Sequence, residues 1–145
     1  NDTDQDLRIM LPPSCTRFAL EKHDGPYEKW PLKSRLIVDG VLTKTRVSGY
    51  SLLHQFELPD GYLLVTDYDC PFEEATDFVL LSRDLRVLTR RSIGGAYCSF
   101  LLDKLEWVDE YGLIATFHEN DRWKISIGSR SIPYLRPRIF AKRMT

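Results

Sequence analysis

Short apolar runs recur about every ten residues from Ser34 onward and are separated by turn-forming residues. The runs are rich in Val, Ile, Leu, Thr, Tyr and Phe, which favour strands, and few segments place apolar residues at helical spacing. Strands of this length and spacing are typical of all-β domains. The pattern therefore predicts an all-β fold, mainly an antiparallel meander with little helix. A partial propeller, a sandwich and a small barrel are alternative architectures.

Turn residues between consecutive runs predict three hairpins. Asp39-Gly40 supplies the positive φ angles of a tight two-residue turn. Pro59-Asp60-Gly61 places proline first in the turn and predicts a left-handed glycine. Arg83-Asp84 is the third turn. The hairpins join residues 35–38 to 41–47, 51–58 to 62–68, and 78–82 to 85–93.

Gly94-Gly95 indicates a hinge or bulge, and further strands are predicted on both sides of the hairpin region. Pro137 cannot donate a ladder hydrogen bond, so the last of these strands is expected at a sheet edge. A helix is an alternative only for residues 102–108. The predicted strands are 16–20, 100–108, 113–117, 123–127 and 134–140.

The length of 145 residues is common for one domain, and the hydrophobic and charged shares of 43% and 28% are those of globular proteins. We expect a single domain over residues 1–145. It comprises an irregular N-terminal segment (1–33), the β-meander (34–127) and a basic C-terminal edge segment (128–145).

The formal net charge of −1 and the pI near 6.3 argue against nucleic acid or an anionic membrane as the main partner. No apolar run reaches the length of a membrane span. A cytoplasmic location is expected. Because the sequence starts at Asn1 and not at Met, a removed signal peptide is an alternative.

Cys15, Cys70 and Cys98 are odd in number and widely spaced, which fits neither a disulfide framework nor a zinc site. Three unpaired thiols are therefore predicted, with one disulfide and one free thiol as the alternative. His23, His54 and His118 are isolated from one another and from any nucleophile motif. We expect no metal, no cofactor and no enzymatic activity.

Residues 60–77, the acidic segment, contain six carboxylates and no Lys or Arg. These side chains are predicted to form one acidic rim together with Tyr62, Tyr68 and Phe72. Such a rim suits a basic protein surface, since aromatic anchors supply binding energy and charge orients the encounter. A solvated loop is the alternative. The predicted partner-binding residues are Asp60, Asp67, Tyr68, Asp69, Phe72, Glu73, Glu74 and Asp77.

Residues 61–74, continued by 122–127, resemble small β-meander immunity proteins encoded beside bacterial polymorphic toxins, such as those of contact-dependent growth inhibition. The resemblance implies an inhibitor that covers the active site of a cognate toxin. The toxin is expected to have a basic surface, and a nuclease is its expected class. The alternatives are a small β-domain enzyme, a ligand-binding domain, or a nucleic-acid-binding module that uses the basic C-terminal residues Arg130, Arg136, Arg138, Lys142 and Arg143.

Overall fold

Antiparallel strands make up nearly all the regular structure in a computed structural model that describes residues 11–68, 73–96, 102–118, 120–128 and 138–144. The prediction of an all-β meander with little helix is confirmed. Tyr27–Lys29 form a 3₁₀ turn. The strands are β1 (Phe18–Leu20), β2 (Lys33–Val38), β3 (Val41–Ser48), β4 (Ser51–Leu58), β5 (Gly61–Asp67), β6 (Glu73–Ser82), β7 (Val87–Ala96), β8 (Leu102–Asp109), β9 (Gly112–Phe117), β10 (Asp121–Ile127) and β11 (Ile139–Arg143).

The strands form three antiparallel sheets, ordered β1-β2-β3, β4-β5-β6-β7 and β11-β10-β9-β8. We call them the N-terminal, central and C-terminal sheets. Within each sheet, every strand pairs with its neighbour in the sequence, which is the connectivity of a meander. Because the described strands divide among separate sheets, they do not close into one small barrel.

The central sheet is buried on both faces. Leu63 and Phe78 face a core that is shared with the C-terminal sheet. Leu64 and Val79 face a second core, shared with Leu36 of the N-terminal sheet. Consequently the first six residues of β5 are all buried, whereas a strand with one face in solvent would alternate between buried and exposed residues. The three sheets thus pack as layers, with the central sheet between the other two.

The first two hairpins form where the sequence predicts them, but one turn differs in detail. Asp39 and Gly40 have φ angles of 51° and 84°, which confirms the tight turn. The second turn consists of Pro59 and Asp60 alone, because Gly61 pairs with Leu58 as the first residue of β5. Gly61 does not have a positive φ, so its predicted left-handed conformation is wrong.

The third hairpin has a longer connection than the predicted two-residue turn. β6 ends at Ser82 and β7 begins at Val87, so four residues connect the strands. The Leu85 amide donates to the Ser82 carbonyl at 3.0 Å, and Leu85 has a φ of 67°. Because Arg83-Asp84 contains no glycine to take a positive φ, the chain reverses direction over four residues and not two.

Both strands of the third hairpin are also longer than predicted. β6 begins at Glu73, within a stretch predicted as loop. In β7, Gly94 and Gly95 pair with Ala75 and Glu74, so they belong to the ladder and the predicted hinge or bulge is wrong. The register shift in this pair of strands falls instead between Leu80 and Leu81.

The remaining strands largely follow the sequence pattern. Residues 102–108 are a strand and not a helix. β11 lies at the edge of the C-terminal sheet, as predicted, although it begins at Ile139, and Pro137 lies outside the described residues. β1 pairs with β2 and so brings the N-terminal segment into the N-terminal sheet.

Candidate functional site

The acidic segment does not form the single rim that the sequence predicts. Asp60 lies in the turn before β5, whereas Asp67 is the last residue of that strand. A strand rises about 3.3 Å per residue, which separates these carboxylates by roughly 20 Å. Asp60 therefore lies at the opposite end of the central sheet from Asp67 and Tyr68.

Two further members of the predicted rim are buried. Asp77 is fully buried in β6, where it accepts hydrogen bonds from Ser92 Oγ and from Arg90 Nη1, the latter at 3.3 Å. Tyr62 is 3% exposed, and the Arg17 guanidinium carbon lies 5.4 Å from the centre of its ring. The acidic segment is thus partly neutralised by a cation from β7, which the linear sequence did not reveal.

The other predicted residues lie near the end of β5. Asp67 and Tyr68 are half-buried there. The backbone of Glu73 and Glu74 begins β6, which corrects their predicted place in a loop, and their side chains lie outside the described part of the molecule. Asp69 and Phe72 also lie outside the described residues. Partner binding at this end of β5 remains a prediction.

Tyr68 belongs to a group of five rings that the sequence analysis did not identify. We call His23, Tyr27, Trp30, Tyr50 and Tyr68 the aromatic cluster. Tyr50 is central, with ring centroids 5.2 Å from Trp30 and 5.1 Å from Tyr68, at interplanar angles of 88° and 87°. It also meets Tyr27 at 5.6 Å and His23 at 5.3 Å. These are edge-to-face contacts, the geometry that ring quadrupoles favour.

Hydrogen bonds fix the proline-rich segment before β2 against the ends of the strands. The Trp30 indole donates to the Gly25 carbonyl at 3.1 Å. Tyr50 donates its phenol proton to the Pro31 carbonyl at 2.7 Å, and Tyr68 donates to the Leu32 carbonyl at 3.2 Å. Trp30, Tyr50 and Tyr68 are thus held both by ring contacts and by hydrogen bonds from their polar atoms, which restricts their rotamers.

His23 is oriented by a short hydrogen-bond chain. Buried Ser34 donates its hydroxyl proton to the Gly49 carbonyl at 2.7 Å. His23 Nε2 lies 2.8 Å from the same Ser34 oxygen. Because the hydroxyl proton is already used, Nε2 carries a proton and donates, which assigns the tautomer of the neutral ring.

The aromatic cluster borders an open cleft of about 360 Å³, a volume in the range of ligand and anchor pockets. Tyr27 is 42% exposed, and the other four rings are half-buried. Glu21 and Lys22 line the same cleft. The rings therefore present apolar surface to solvent beside charges of both signs.

Tyr68 also lines a second cleft, of about 290 Å³, which lies against β3, β6 and β7. We call it the basic cleft because its charged lining residues are Lys33, Arg46 and Arg90. Burial raises the pKa of Tyr68, and the negative charge of Asp77 raises it further. The phenol therefore keeps its proton at neutral pH and remains a donor.

The described residues show no group of three or more His, Cys, Asp or Glu side chains that could hold a metal ion. None of the helical segments in this part of the chain is long and apolar enough to cross a membrane.

The basic C-terminal segment is partly compensated by acidic and aromatic neighbours. Arg143 pairs with Asp121 at 2.9 Å, and its guanidinium carbon lies 4.9 Å from the centre of the Trp123 ring. Arg138 and Lys142 are exposed, whereas Arg130 and Arg136 lie outside the described residues.

A scan against models of protein families, a search of curated proteins and a search of solved structures found no match to this chain.

Proposed function

We propose that this chain is a protein-binding inhibitor of the immunity type, which neutralises a toxin by covering its active surface. The aromatic cluster is the anchor of the proposed interface. The observation that carries the proposal is the position of Trp30 and three tyrosines around an open cleft at one end of the central sheet.

Trp and Tyr are the residues most often found to dominate protein interfaces. They offer large contact areas with few rotatable bonds, so that little conformational entropy is lost on binding. Here the loss is smaller still, because Tyr50 and Tyr68 are held by ring contacts and by phenol hydrogen bonds. A surface ordered before it meets its partner supports tight association.

Two carboxylates lie at the same end of the molecule, among the cations of the aromatic and basic clefts, and we assign them to contacts with basic groups of the partner. Asp67 precedes Tyr68 at the end of β5, and Glu21 lines the aromatic cleft. Carboxylates beside an apolar anchor mainly increase the association rate and its specificity. The acidic contribution to the proposed interface therefore comes from the β5 end, and Asp60 and Asp77 are not part of it.

The experiment is surface plasmon resonance against the toxin encoded next to this gene, with wild type, Tyr27→Ala and Trp30→Ala. We expect each variant to weaken binding about 30-fold, the equivalent of about 2 kcal/mol, mainly through faster dissociation. Tyr111→Ala is the matched control, because Tyr111 is 40% exposed in the turn between β8 and β9. Circular dichroism establishes that each variant folds.

Two results would count against the proposal. Failure of the wild type to bind the toxin would overturn the immunity function. Binding that the Tyr111 variant weakens as much as the Tyr27 and Trp30 variants would remove the aromatic cluster from the interface.

A further inference from the structure

Cations from three strands meet at the basic cleft. Arg46 lies on β3, two residues before Ser48, and Lys33 of β2 pairs directly with Ser48. Arg90 reaches the cleft from β7. Successive residues on a strand alternate between faces, so Arg46 and Ser48 lie on the same face of β3. The strand pairing and the alternation of faces along β3 therefore place Lys33, Arg46 and Ser48 on the same face of the N-terminal sheet.

Counted over the described residues, the cleft carries an excess of about two positive charges, because one of its three cations is neutralised. Arg90 pairs with buried Asp77. Among the described residues, Lys33 and Arg46 form no ion pair, and no acidic residue lines the cleft. Like charges in one concave site repel each other, and this repulsion is relieved when an anion binds.

Ser48 adds a donor without an acceptor. The residue is 3% exposed and lines the cleft, and its Oγ has no hydrogen-bond partner in the part of the chain that the structure describes. A buried hydroxyl without a partner costs about 1–3 kcal/mol. A ligand oxygen at the floor of the cleft would accept this hydrogen bond.

We propose that the basic cleft binds a phosphate group, with Lys33 and Arg46 as its charge partners and Ser48 as a hydrogen-bond donor. A phosphomonoester carries about −1.5 to −2 charges and three acceptor oxygens, which matches the excess of about two charges and the several donors. A carboxylate offers one charge and two oxygens, and so matches less well. This inference goes beyond the proposed function and does not depend on it.

Two sources can supply the phosphate. Free inorganic phosphate would use the basic cleft alone. A phosphomonoester with an aromatic group would also place its ring against Tyr68, which lines both clefts. Contact with that ring would add affinity through stacking or edge-to-face packing.

Isothermal titration calorimetry with inorganic phosphate, phenyl phosphate and acetate tests the proposal. We expect the wild type to bind both phosphates more tightly than acetate. The double variant Lys33→Gln/Arg46→Gln should weaken phosphate binding at least tenfold. Ser48→Ala should weaken it several-fold and still fold, because it removes the unpaired hydroxyl. Tighter binding of phenyl phosphate than of phosphate, lost in Tyr68→Leu, identifies the aromatic ester as the preferred source, whereas equal affinity identifies free phosphate.

The matched control is Lys124→Gln/Lys142→Gln, which removes the same charge from two exposed, directly paired residues of the C-terminal sheet. Phosphate affinity should remain that of the wild type. The proposal is overturned if the wild type binds no phosphate at millimolar concentration, if acetate binds equally well, or if the control loses as much affinity as the cleft variant.

Discussion

Asp77 and Arg90 form a diagonal pair across β6 and β7, with Arg90 Nη1 3.3 Å from Asp77 Oδ2. The aspartate side chain is fully buried, whereas 51% of the arginine side chain is exposed. Burial of a carboxylate is tolerated when a cation and further donors compensate the lost hydration. The pair therefore connects the layer between the N-terminal and central sheets to the basic cleft at the surface.

Replacing Asp77 by Asn should destabilise the fold. The amide keeps the shape but removes the negative charge, so the ion pair with Arg90 is lost and the hydrogen bonds with Arg90 and Ser92 are no longer charge-assisted. Because Arg90 can still reach water, we expect a loss of about 1–3 kcal/mol, measured by urea unfolding at neutral pH. Asp84→Asn is the control, since Asp84 is exposed in a turn. Equal unfolding midpoints for the two variants would contradict the role of the buried pair.

Replacing Gly61 by Ala should lower the free energy of unfolding more than the same change at a glycine whose added Cβ would contact nothing. A Cβ on Gly61 would lie 2.0 Å from the Leu81 carbonyl oxygen, which belongs to the neighbouring strand β6. Gly61 begins an inner strand and pairs with Leu58 on one side and Ser82 on the other, so its backbone cannot shift alone. We therefore expect the free energy of unfolding to fall by about 2 kcal/mol or more, measured by thermal unfolding.

Gly25→Ala is the control for that experiment. A Cβ on Gly25 would meet nothing within 4 Å, and its φ of 84° leaves only a conformational cost of about 1–2 kcal/mol. A melting temperature that falls equally in both variants would show that the central sheet relaxes around the added methyl group.

Local signals in the sequence were sufficient for most of the strands and for the first hairpin, but not for the bounds of β6 and β7. A tight two-residue turn needs positive φ angles at both positions, and Asp39-Gly40 is one of the few residue pairs that adopt them readily. The layering of the sheets was also present in the sequence, since residues 62–65 and 78–81 are apolar without alternation, as in strands buried on both faces. Gly61 was misassigned because its role is a contact with another strand, and turn statistics contain no such information.

The candidate site was less predictable, because it is assembled by tertiary contacts. Trp30 and Tyr50 are 20 residues apart, and only the folding of segment 21–32 onto the strand ends brings them to 5.2 Å. The acidic segment was conspicuous as a run of like charge. The predicted strand 62–68 already placed Asp60 and Asp67 at opposite ends, which the prediction of a single rim overlooked, whereas no local signal shows that Arg90 would reach Asp77.

Cys15 should react slowly with alkylating agents. Burial raises the pKa of the Cys15 thiol, and its Sγ lies 3.6 Å from Gln55 Oε1, to which it donates. The thiolate is the nucleophile, so a raised pKa lowers the reactive fraction at pH 8. We expect iodoacetamide to modify Cys15 more slowly in the folded protein than in urea, measured by intact mass on a Cys70→Ser/Cys98→Ser variant. Equal rates in the two conditions would contradict this prediction.

The same alkylation tests the prediction of three unpaired thiols. Cys15 is a free thiol in the structure, and Cys70 and Cys98 lie outside the described residues. The denatured, unreduced wild type should therefore gain three adducts. A single adduct would indicate a disulfide between the other two cysteines and an oxidising compartment.

His54 should make stability fall in mild acid. Its ring stacks on Phe56 with centroids 5.9 Å apart and an interplanar angle of 8°, and partial burial lowers its pKa below 6.5. Between the folded and the unfolded pKa, the unfolded chain binds more protons than the folded one, so the free energy of unfolding rises with pH. Stability is therefore fully present above about pH 6.5, begins to fall as pH drops through that value, and stops falling below the folded pKa.

The size of this effect is limited, because a substantial part of the His54 side chain is still exposed on β4, where water screens its charge. We expect NMR titration of the imidazole to give a midpoint below 6.5, and His54→Gln to reduce the loss of stability between pH 7 and pH 5 in urea unfolding. His118→Gln is the control, since it removes an imidazole from the exposed turn after β9 and leaves His54 in place. It should keep the contribution of His54 to the pH dependence. A His54 midpoint above 6.5, or an unchanged slope in His54→Gln, would show that partial burial does not disfavour the charged ring.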